Sequence, residues 1–321
     1  MSNKINQTAK NVIDLQIKAL KKLKNSIDAS FIKAVKTINR CESKVIVCGV
    51  GKSGKIASKI SSTLSSVGTP SFSISANDCS HGDLGSIRKK DILILISHSG
   101  NTEELRNIIN YAKLNNIILI GIVSNKKSYL YKKANIKLLT PDIEESGQGI
   151  VPTSSTSVQL SLGDALAISI MKLKNFGKLD FKKFHPAGNL GNKLKTASEI
   201  MLTGKKIPFI NENSNTKDAL KMIQKKKLGF VIIINNDGFT KGIFTDGDLK
   251  RSLQKNKSIN NLKIKYLMTK KPVSVHKDTL ITDILKKMNM KKITSVCVYE
   301  DKNIKKIKGV IHIHHLLKIL K

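Results

Sequence analysis

The sequence predicts an α/β chain: a parallel, five-stranded, doubly wound sheet followed by a smaller α+β region built from two repeats. Three observations predict it. Over the first half, short apolar runs alternate with helix-length segments, the pattern of a parallel sheet covered on both faces. The runs end in loops rich in glycine, serine and histidine, where such sheets bind ligands beyond their carboxyl ends. After Lys195 one pattern occurs twice.

Ile13, Ile17, Leu20, Leu23, Ile27, Phe31, Val35 and Ile38 recur at three and four residues and describe one long helix or a helix pair. Strands are then expected at Val45–Cys48, Ser71–Ser75, Ile92–Ile96, Ile117–Val123 and Ile136–Leu139, with helices over Lys55–Val67, Glu103–Leu114, Ser128–Lys133 and Ser155–Lys174. A basic, glycine-containing segment, Phe176 to Lys195, breaks the alternation. Beyond it, Ile200-Met201-Leu202-Thr203 recurs as Tyr266-Leu267-Met268-Thr269, and the block Gly242 to Leu249 recurs as Gly309 to Leu316, about 67 residues on. Each copy reads as a short strand, a helix (Thr216–Lys226, Thr282–Asn289), two strands and a closing helix. A unit this small has a thin core, so the copies are expected to pack together. The division expected is 1–195, 196–258 and 259–321.

Composition narrows the partners. The chain has 321 residues, 40% of them hydrophobic, and a net charge of +34. Such a balance raises nucleic acid or an anionic membrane. However, Arg40, Arg88, Arg106 and Arg251 are the only arginines, and the lysine excess runs along the whole chain. This reads as a composition bias, so neither nucleic acid nor membrane is expected as a partner. Cys41, Cys48, Cys79 and Cys297 contain no C-x-x-C pair. Reduced, inert thiols fit better than a disulfide frame or a zinc site, and no metal or cofactor is expected. The longest apolar stretch, Ile117 to Val123, is far too short to span a bilayer. A soluble, cytoplasmic protein is expected.

The chemistry concentrates in the loops. Gly49-Val50-Gly51-Lys52-Ser53-Gly54 follows a buried strand, so backbone N–H groups and a helix dipole face whatever sits above the turn. It is not a P-loop, because Ile46 stands where that pattern needs glycine. It matches the dinucleotide fingerprint, but the acidic residue expected about 20 positions on is only loosely met by Asp78. A third reading is a sugar-phosphate loop in which Gly51, Ser53 and backbone N–H groups hold a phosphate and Lys52 reaches the substrate. A second loop favours it. Ser97-His98-Ser99-Gly100-Asn101-Thr102 brings three hydroxyls to a helix start, although Ser99 or Thr102 alone is also explained as a cap. Between the two loops, His81 sits beside Gly82. Glu103 and Glu104 open the next helix, where the dipole alone favours carboxylates. Glu144 and Glu145 precede Pro152-Thr153-Ser154-Ser155-Thr156. His185 lies in the break after the last helix, where nothing local requires a histidine.

The strings G-V-G-K-S-G, G-T-P, H-G-D-L-G, S-x-S-G-N-T-E-E, P-T-S-S-T, G-D-A-L-A and H-P-x-G-x-L-G stand here in order. In that order and spacing they resemble the arabinose-5-phosphate isomerases, and the repeat resembles paired cystathionine-β-synthase (CBS) domains. The resemblance covers nearly the whole chain. It implies a sugar isomerase (SIS) domain followed by two CBS domains. It implies interconversion of D-ribulose 5-phosphate and D-arabinose 5-phosphate, the first step toward Kdo for lipopolysaccharide or capsule. Carried over by position, the site is Lys52, His81, Glu104, Glu144 and His185, with Ser53, Ser97, Ser99 and Thr102 on the phosphate. Glu144 stands eight residues before Pro152, as the family's glutamate does. The residues between depart from the family's E-A-C-P-L-G, which leaves Glu145 open. The resemblance also implies that His185 reaches a neighbour's site in an obligate oligomer, a tetramer. In the first CBS copy Thr245 and Asp248 keep the nucleotide pattern, for a nucleotide or sugar-nucleotide effector; the second has His312 and His315 instead.

The residues suit that chemistry. Aldose–ketose isomerisation moves a proton between C1 and C2 through an enediol. It needs a base, a group polarising the carbonyl oxygen, and an anchored phosphate. Histidine or a desolvated glutamate suits the first role, and lysine or histidine the second. Isomerisation of another sugar phosphate stays open, as does a sensor that binds without turnover, although a sensor would have no use for His81, Glu104, Glu144 and His185.

Overall fold

Apolar residues at helical spacing fold the N-terminal segment into two helices, α1 (Ser2–Asn25) and α2 (Ala29–Asn39). Asp28 makes the break: its backbone is extended, and its carboxylate accepts the N–H groups of Ser30 and Phe31, as an N-cap does. The computed structural model describes residues 2–185, 188–255, 258–300 and 306–320. The chain divides into two compact units, Met1–Phe184 and His185–Lys321.

In the first unit the elements continue as β1 (Val45–Gly49), α3 (Gly51–Ser66), β2 (Ser71–Ser75), α4 (Ala76–Cys79), β3 (Ile92–Ile96), α5 (Arg106–Leu114), β4 (Ile118–Val123), α6 (Tyr129–Lys133), β5 (Ile136–Leu139), α7 (Ser154–Leu173) and α8 (Lys178–Phe184). The five strands pair in parallel in the order β2-β1-β3-β4-β5. Every residue of β1 and β3 is buried, so their side chains alternate between two cores. Val45, Val47, Ile94 and Ile96 pack with α1, α2, α3 and α7, while Ile46, Cys48, Leu93 and Leu95 pack with α4, α5 and α6. Helices α3 and α7 cross closely because position 163 is glycine; a Cβ there would lie 2.3 Å from Ile60. The expected start of α5 at Glu103 is a 3-10 turn, Glu103–Leu105, before the helix proper.

The second unit runs α9 (Gly188–Lys193), α10 (Ala197–Ile200), β6 (Leu202–Thr203), β7 (Phe209–Asn211), α11 (Thr216–Lys226), β8 (Phe230–Ile234), β9 (Thr240–Thr245) and α12 (Asp246–Lys255), then β10 (Thr269–Lys270), β11 (Ser274–His276), α13 (Ile281–Lys291), β12 (Ser295–Tyr299), β13 (Gly309–His312) and α14 (Ile313–Leu320). Its two four-stranded sheets are ordered β10-β9-β8-β7 and β11-β12-β13-β6. Each copy of the repeat therefore completes its sheet with a two-residue strand from the other. The structure also corrects the repeat's register. Met201 covers Gly309 and Met268 covers Gly242, so Met201 matches Met268 and not Leu267, one place from the alignment of the four-residue strings.

All four cysteines are free. Burial pushes the Cys48 and Cys297 thiols up to about 12 and Cys79 to about 11, which keeps them protonated and unreactive at neutral pH. Among the described residues no helix is long and apolar enough to cross a membrane.

Candidate active site

From β1 the sheet grows outward to β2 on one side and to β3, β4 and β5 on the other. The switch point between β1 and β3 is where this architecture opens a crevice. A cavity of about 600 Å3 lies there, lined by Val50, Lys52 and Ser53 after β1, His98 after β3, Glu144 and Glu145 after β5, and Ser155, Thr156 and Gln159 of α7.

The β1 loop is shaped by close backbone approach. A Cβ at Gly49 would lie 2.8 Å from the carbonyl carbon and oxygen of Ser53, and one at Gly54 would lie 2.8 Å from the Gly49 oxygen. The helix turns back against its own strand, and only glycine permits it. Val50 is the N-cap of α3 and supplies no side-chain acceptor, so the first N–H groups of the helix stay open to a ligand. Lys52 is exposed in this first turn. Ser53 donates its hydroxyl to Gln159 Oε1 at 3.1 Å.

The β3 loop closes on itself. Ser97 is buried, its Oγ lies 2.7 Å from Thr102 Oγ1, and it accepts the Gly100 N–H at 2.9 Å. Ser99 Oγ accepts the Asn101 N–H at 3.3 Å. Gly100 has a φ of +68°, and a Cβ on it would lie 2.2 Å from Ser128 Oγ.

The two adjacent glutamates separate cleanly. Glu145 accepts the N–H groups of Thr153, Ser154 and Ser155 at 2.7, 2.8 and 3.1 Å, and the Thr153 hydroxyl. It closes the N-terminus of α7. Burial works to raise its carboxyl pKa, but the hydrogen bonds from Ser155 and Thr153 outweigh it and hold the group below the usual carboxylate range. Glu144 is exposed and faces the cavity.

Lys52, Ser53 and Glu144 thus share one cavity. His81 is exposed in the turn after α4, its N–H on the Asp78 carbonyl at 2.9 Å, and does not line it. Gly51 and Glu104 are exposed, and Ser97, Ser99 and Thr102 lie in the second loop without lining the cavity. His185 begins the second unit and is half-buried; Pro186 and Ala187 of its motif lie outside the described residues. Sequence reasoning passed over His98, Ser155, Thr156 and Gln159 as lining residues. Gln159 stands 106 residues from Ser53, and no local signal joins the two. Among the described residues no group of His, Cys, Asp or Glu is placed to hold a metal.

In the second unit, Thr245 and Asp248 line a cavity of about 580 Å3 with Arg251, Lys271, Lys292 and His312. Asp248 is buried and accepts the Thr245 N–H at 2.9 Å, the Thr245 hydroxyl at 2.8 Å, the Thr269 hydroxyl at 2.7 Å and the Arg251 guanidinium. Burial alone would raise its carboxyl pKa; the bonds from Thr269, Thr245 and Arg251 carry it below the usual range. His312 is pushed down by burial and by His314 and His315.

Comparison with known proteins agrees with this architecture. The SIS domain family matches residues 38–169, and the CBS domain family matches residues 197–255 and 264–321. The arabinose 5-phosphate isomerase KdsD of Francisella tularensis is 41% identical over 310 residues, covering 95% of this chain and 94% of that protein. KdsD of Yersinia pestis is 38% identical over 314 residues, covering 97% and 95%. A solved structure from Escherichia coli CFT073, in complex with arabinose 5-phosphate, is 34% identical with a TM-score of 0.56 and covers 58% of this chain and 100% of that one. A five-stranded parallel SIS sheet, a paired CBS module and near-full-length identity to two such enzymes lead to one conclusion: the chain is an isomerase of the arabinose-5-phosphate isomerase family.

Proposed function

We propose that this chain interconverts D-ribulose 5-phosphate and D-arabinose 5-phosphate in the cavity between β1 and β3, as the first step toward Kdo. The observation that carries the reading is the gathering of Lys52, Ser53 and Glu144 around one cavity at the switch point. Glu145 is engaged at the start of α7, which leaves Glu144 as the cavity carboxylate free to accept a proton from C1 of the ketose and return it at C2. The electron pair of the broken C–H bond forms the C1=C2 bond, and the C2=O pair moves to O2, which takes up a proton to give the enediol. The O1 hydroxyl gives up its proton as C2 is protonated and the C1 aldehyde forms. Lys52 stabilises the charge that develops on the substrate oxygens. The open N–H groups of α3, from Gly51 onward, and Ser53 bind phosphate, while Ser97, Ser99 and Thr102, whose hydroxyls bond within their own loop, frame the seat from the end of β3. His81 is the alternative proton carrier, and Glu104 orients.

His185 completes the site of a neighbouring subunit in a homotetramer. Ile5, Ile13 and Ile17 on α1 and Ile32 on α2 are exposed apolar side chains and support a second copy against these helices. The catalytic domain takes in residues 1–195, and the two CBS domains, 196–258 and 259–321, receive a nucleotide or sugar-nucleotide effector at Thr245 and Asp248. The protein works in the cytoplasm.

The test is direct. Purified protein is incubated with ribulose 5-phosphate and the pentose phosphate formed is identified by chromatography and NMR. Arabinose 5-phosphate is expected. Ribose or xylulose 5-phosphate moves the chain to another isomerisation, and no product makes it a binding protein. For the shared site, His185→Ala and Lys52→Ala proteins, each nearly inactive, should regain activity as mixed oligomers. Absence of rescue in oligomers confirmed by mass would put the whole site in one chain.

A further inference from the structure

The second loop carries a histidine to which the mechanism assigns no task. The hydroxyls of Ser97, Ser99 and Thr102 all make bonds within their own loop. His98 is the residue of that loop which lines the cavity with Lys52, Ser53 and Glu144. Its main chain is anchored, because the His98 carbonyl accepts the Ser124 N–H at 3.0 Å and the Ser124 hydroxyl at 2.7 Å. The imidazole is therefore carried on a fixed strand end, half-buried. Among the described residues its ring makes no hydrogen bond or ion pair with the protein.

Charge points to what the ring meets. Two glutamates line the cavity, but Glu145 is bound to the backbone at the start of α7. Glu144 then shares the cavity with the Lys52 ammonium, the uncapped first turn of α3 and an imidazole that can donate an N–H. An ammonium, open N–H groups at a helix start and an imidazole donor form a set from which a phosphate monoester dianion accepts hydrogen bonds. Proton transfer at C1 and C2 already has Glu144 and Lys52, so the imidazole is left for the anion.

We propose that His98 is a phosphate-binding residue of this cavity and makes it prefer phosphorylated pentoses. The inference rests on the reading of the cavity as the isomerisation site. It predicts that His98→Gln lowers the affinity of the full-length protein for inorganic phosphate roughly tenfold, the scale of one charge-assisted hydrogen bond. KM for ribulose 5-phosphate should rise by a similar factor with kcat within about twofold, since phosphate is held equally in ground and transition states. His98→Arg, which supplies N–H donors and a fixed positive charge, should restore most of both. Phosphate binding is read by titration calorimetry on wild type, His98→Gln and His98→Arg, with thermal midpoints separating a folding loss shared by both variants from a charge effect confined to Gln.

Unchanged phosphate affinity in His98→Gln overturns the proposal, as does a collapse of kcat at constant KM, which would put the ring at the reacting carbons. An equal loss of phosphate affinity in the Arg and Gln variants also overturns it. A wild type that binds phosphate but yields no arabinose 5-phosphate defeats the isomerisation reading while the titration still judges His98.

Discussion

Two loops leave neighbouring buried strands, and they handle their polar groups in opposite ways. After β1, glycines press the chain against its own strand and leave the first turn of α3 uncapped. Its lysine stands exposed at the cavity and its hydroxyl reaches across to α7. After β3, the hydroxyls bond to one another and to the loop's own N–H groups, and the histidine between them is the residue that lines the cavity. The difference teaches that a glycine–hydroxyl signature at a strand end has two meanings. It leaves a helix start open where nothing caps it, and builds a stiff frame where the hydroxyls find partners at home.

The largest test of that contrast sets Lys52→Ala against Ser97→Ala. Removing the Lys52 ammonium should lower kcat about a thousandfold, roughly 4 kcal/mol of transition-state stabilisation, with the thermal midpoint unmoved. Ser97→Ala should leave kcat within a few fold. Equal losses of turnover would erase the distinction between seat and frame.

Next come the two glycines that shape the loops. Gly49→Ala would place a methyl 2.8 Å from backbone atoms of Ser53, and Gly100→Ala would add one 2.2 Å from Ser128 Oγ at a φ of +68°. Each should destabilise the first unit by about 3 kcal/mol, measured by denaturant midpoint. A loss under about 1 kcal/mol at Gly100 would mean that the frame yields easily. Ser97→Ala should cost about 1–2 kcal/mol, because Thr102 and the Gly100 N–H lose their buried partner.

The smallest effect concerns a third helix start, α7, which a carboxylate closes. Glu145 sits below the usual carboxylate range in the fold, and so does Asp91, whose burial is outweighed by hydrogen bonds from Ser43, Lys44 and Arg88. A depressed folded pKa contributes stability that is present above the unfolded value, about 4, and lost as pH falls through the folded value. The thermal midpoint should therefore hold from pH 7 to about 5 and drop below about 4. Glu145→Gln should flatten part of that drop. An unchanged acid slope would show that the cap contributes nothing through its charge.

What could be read in advance follows from the range of the signals. The strands of the first sheet are legible because apolar runs such as Ile92–Ile96 are buried on both faces. The sequence around Asp28 fits one helix or two, because a single N-cap residue does not outweigh a continued apolar period. Glu144 and Glu145 were separable only by register, since one kind of side chain serves a cap and a cavity alike. The hydroxyls of Ser97, Ser99 and Thr102 look the same in sequence whether they meet a ligand or each other. Gln159 meets Ser53 only because α3 and α7 cross at Gly163, a contact no local pattern encodes. The exchanged strands β6 and β10 are two residues long, too short for any periodicity, and the repeat alone hinted at them.

That exchange bears on how the C-terminal half can be taken apart. Leu202–Thr203 closes the sheet of the second copy, and Thr269–Lys270 closes that of the first. A fragment holding one copy would lack the strand that covers β9 or β13 and would present a bare edge to its neighbours. A chain cleaved in the connection after α12 would instead keep both strands in place. Its halves should stay associated as complementing fragments, and they should melt together as one cooperative transition.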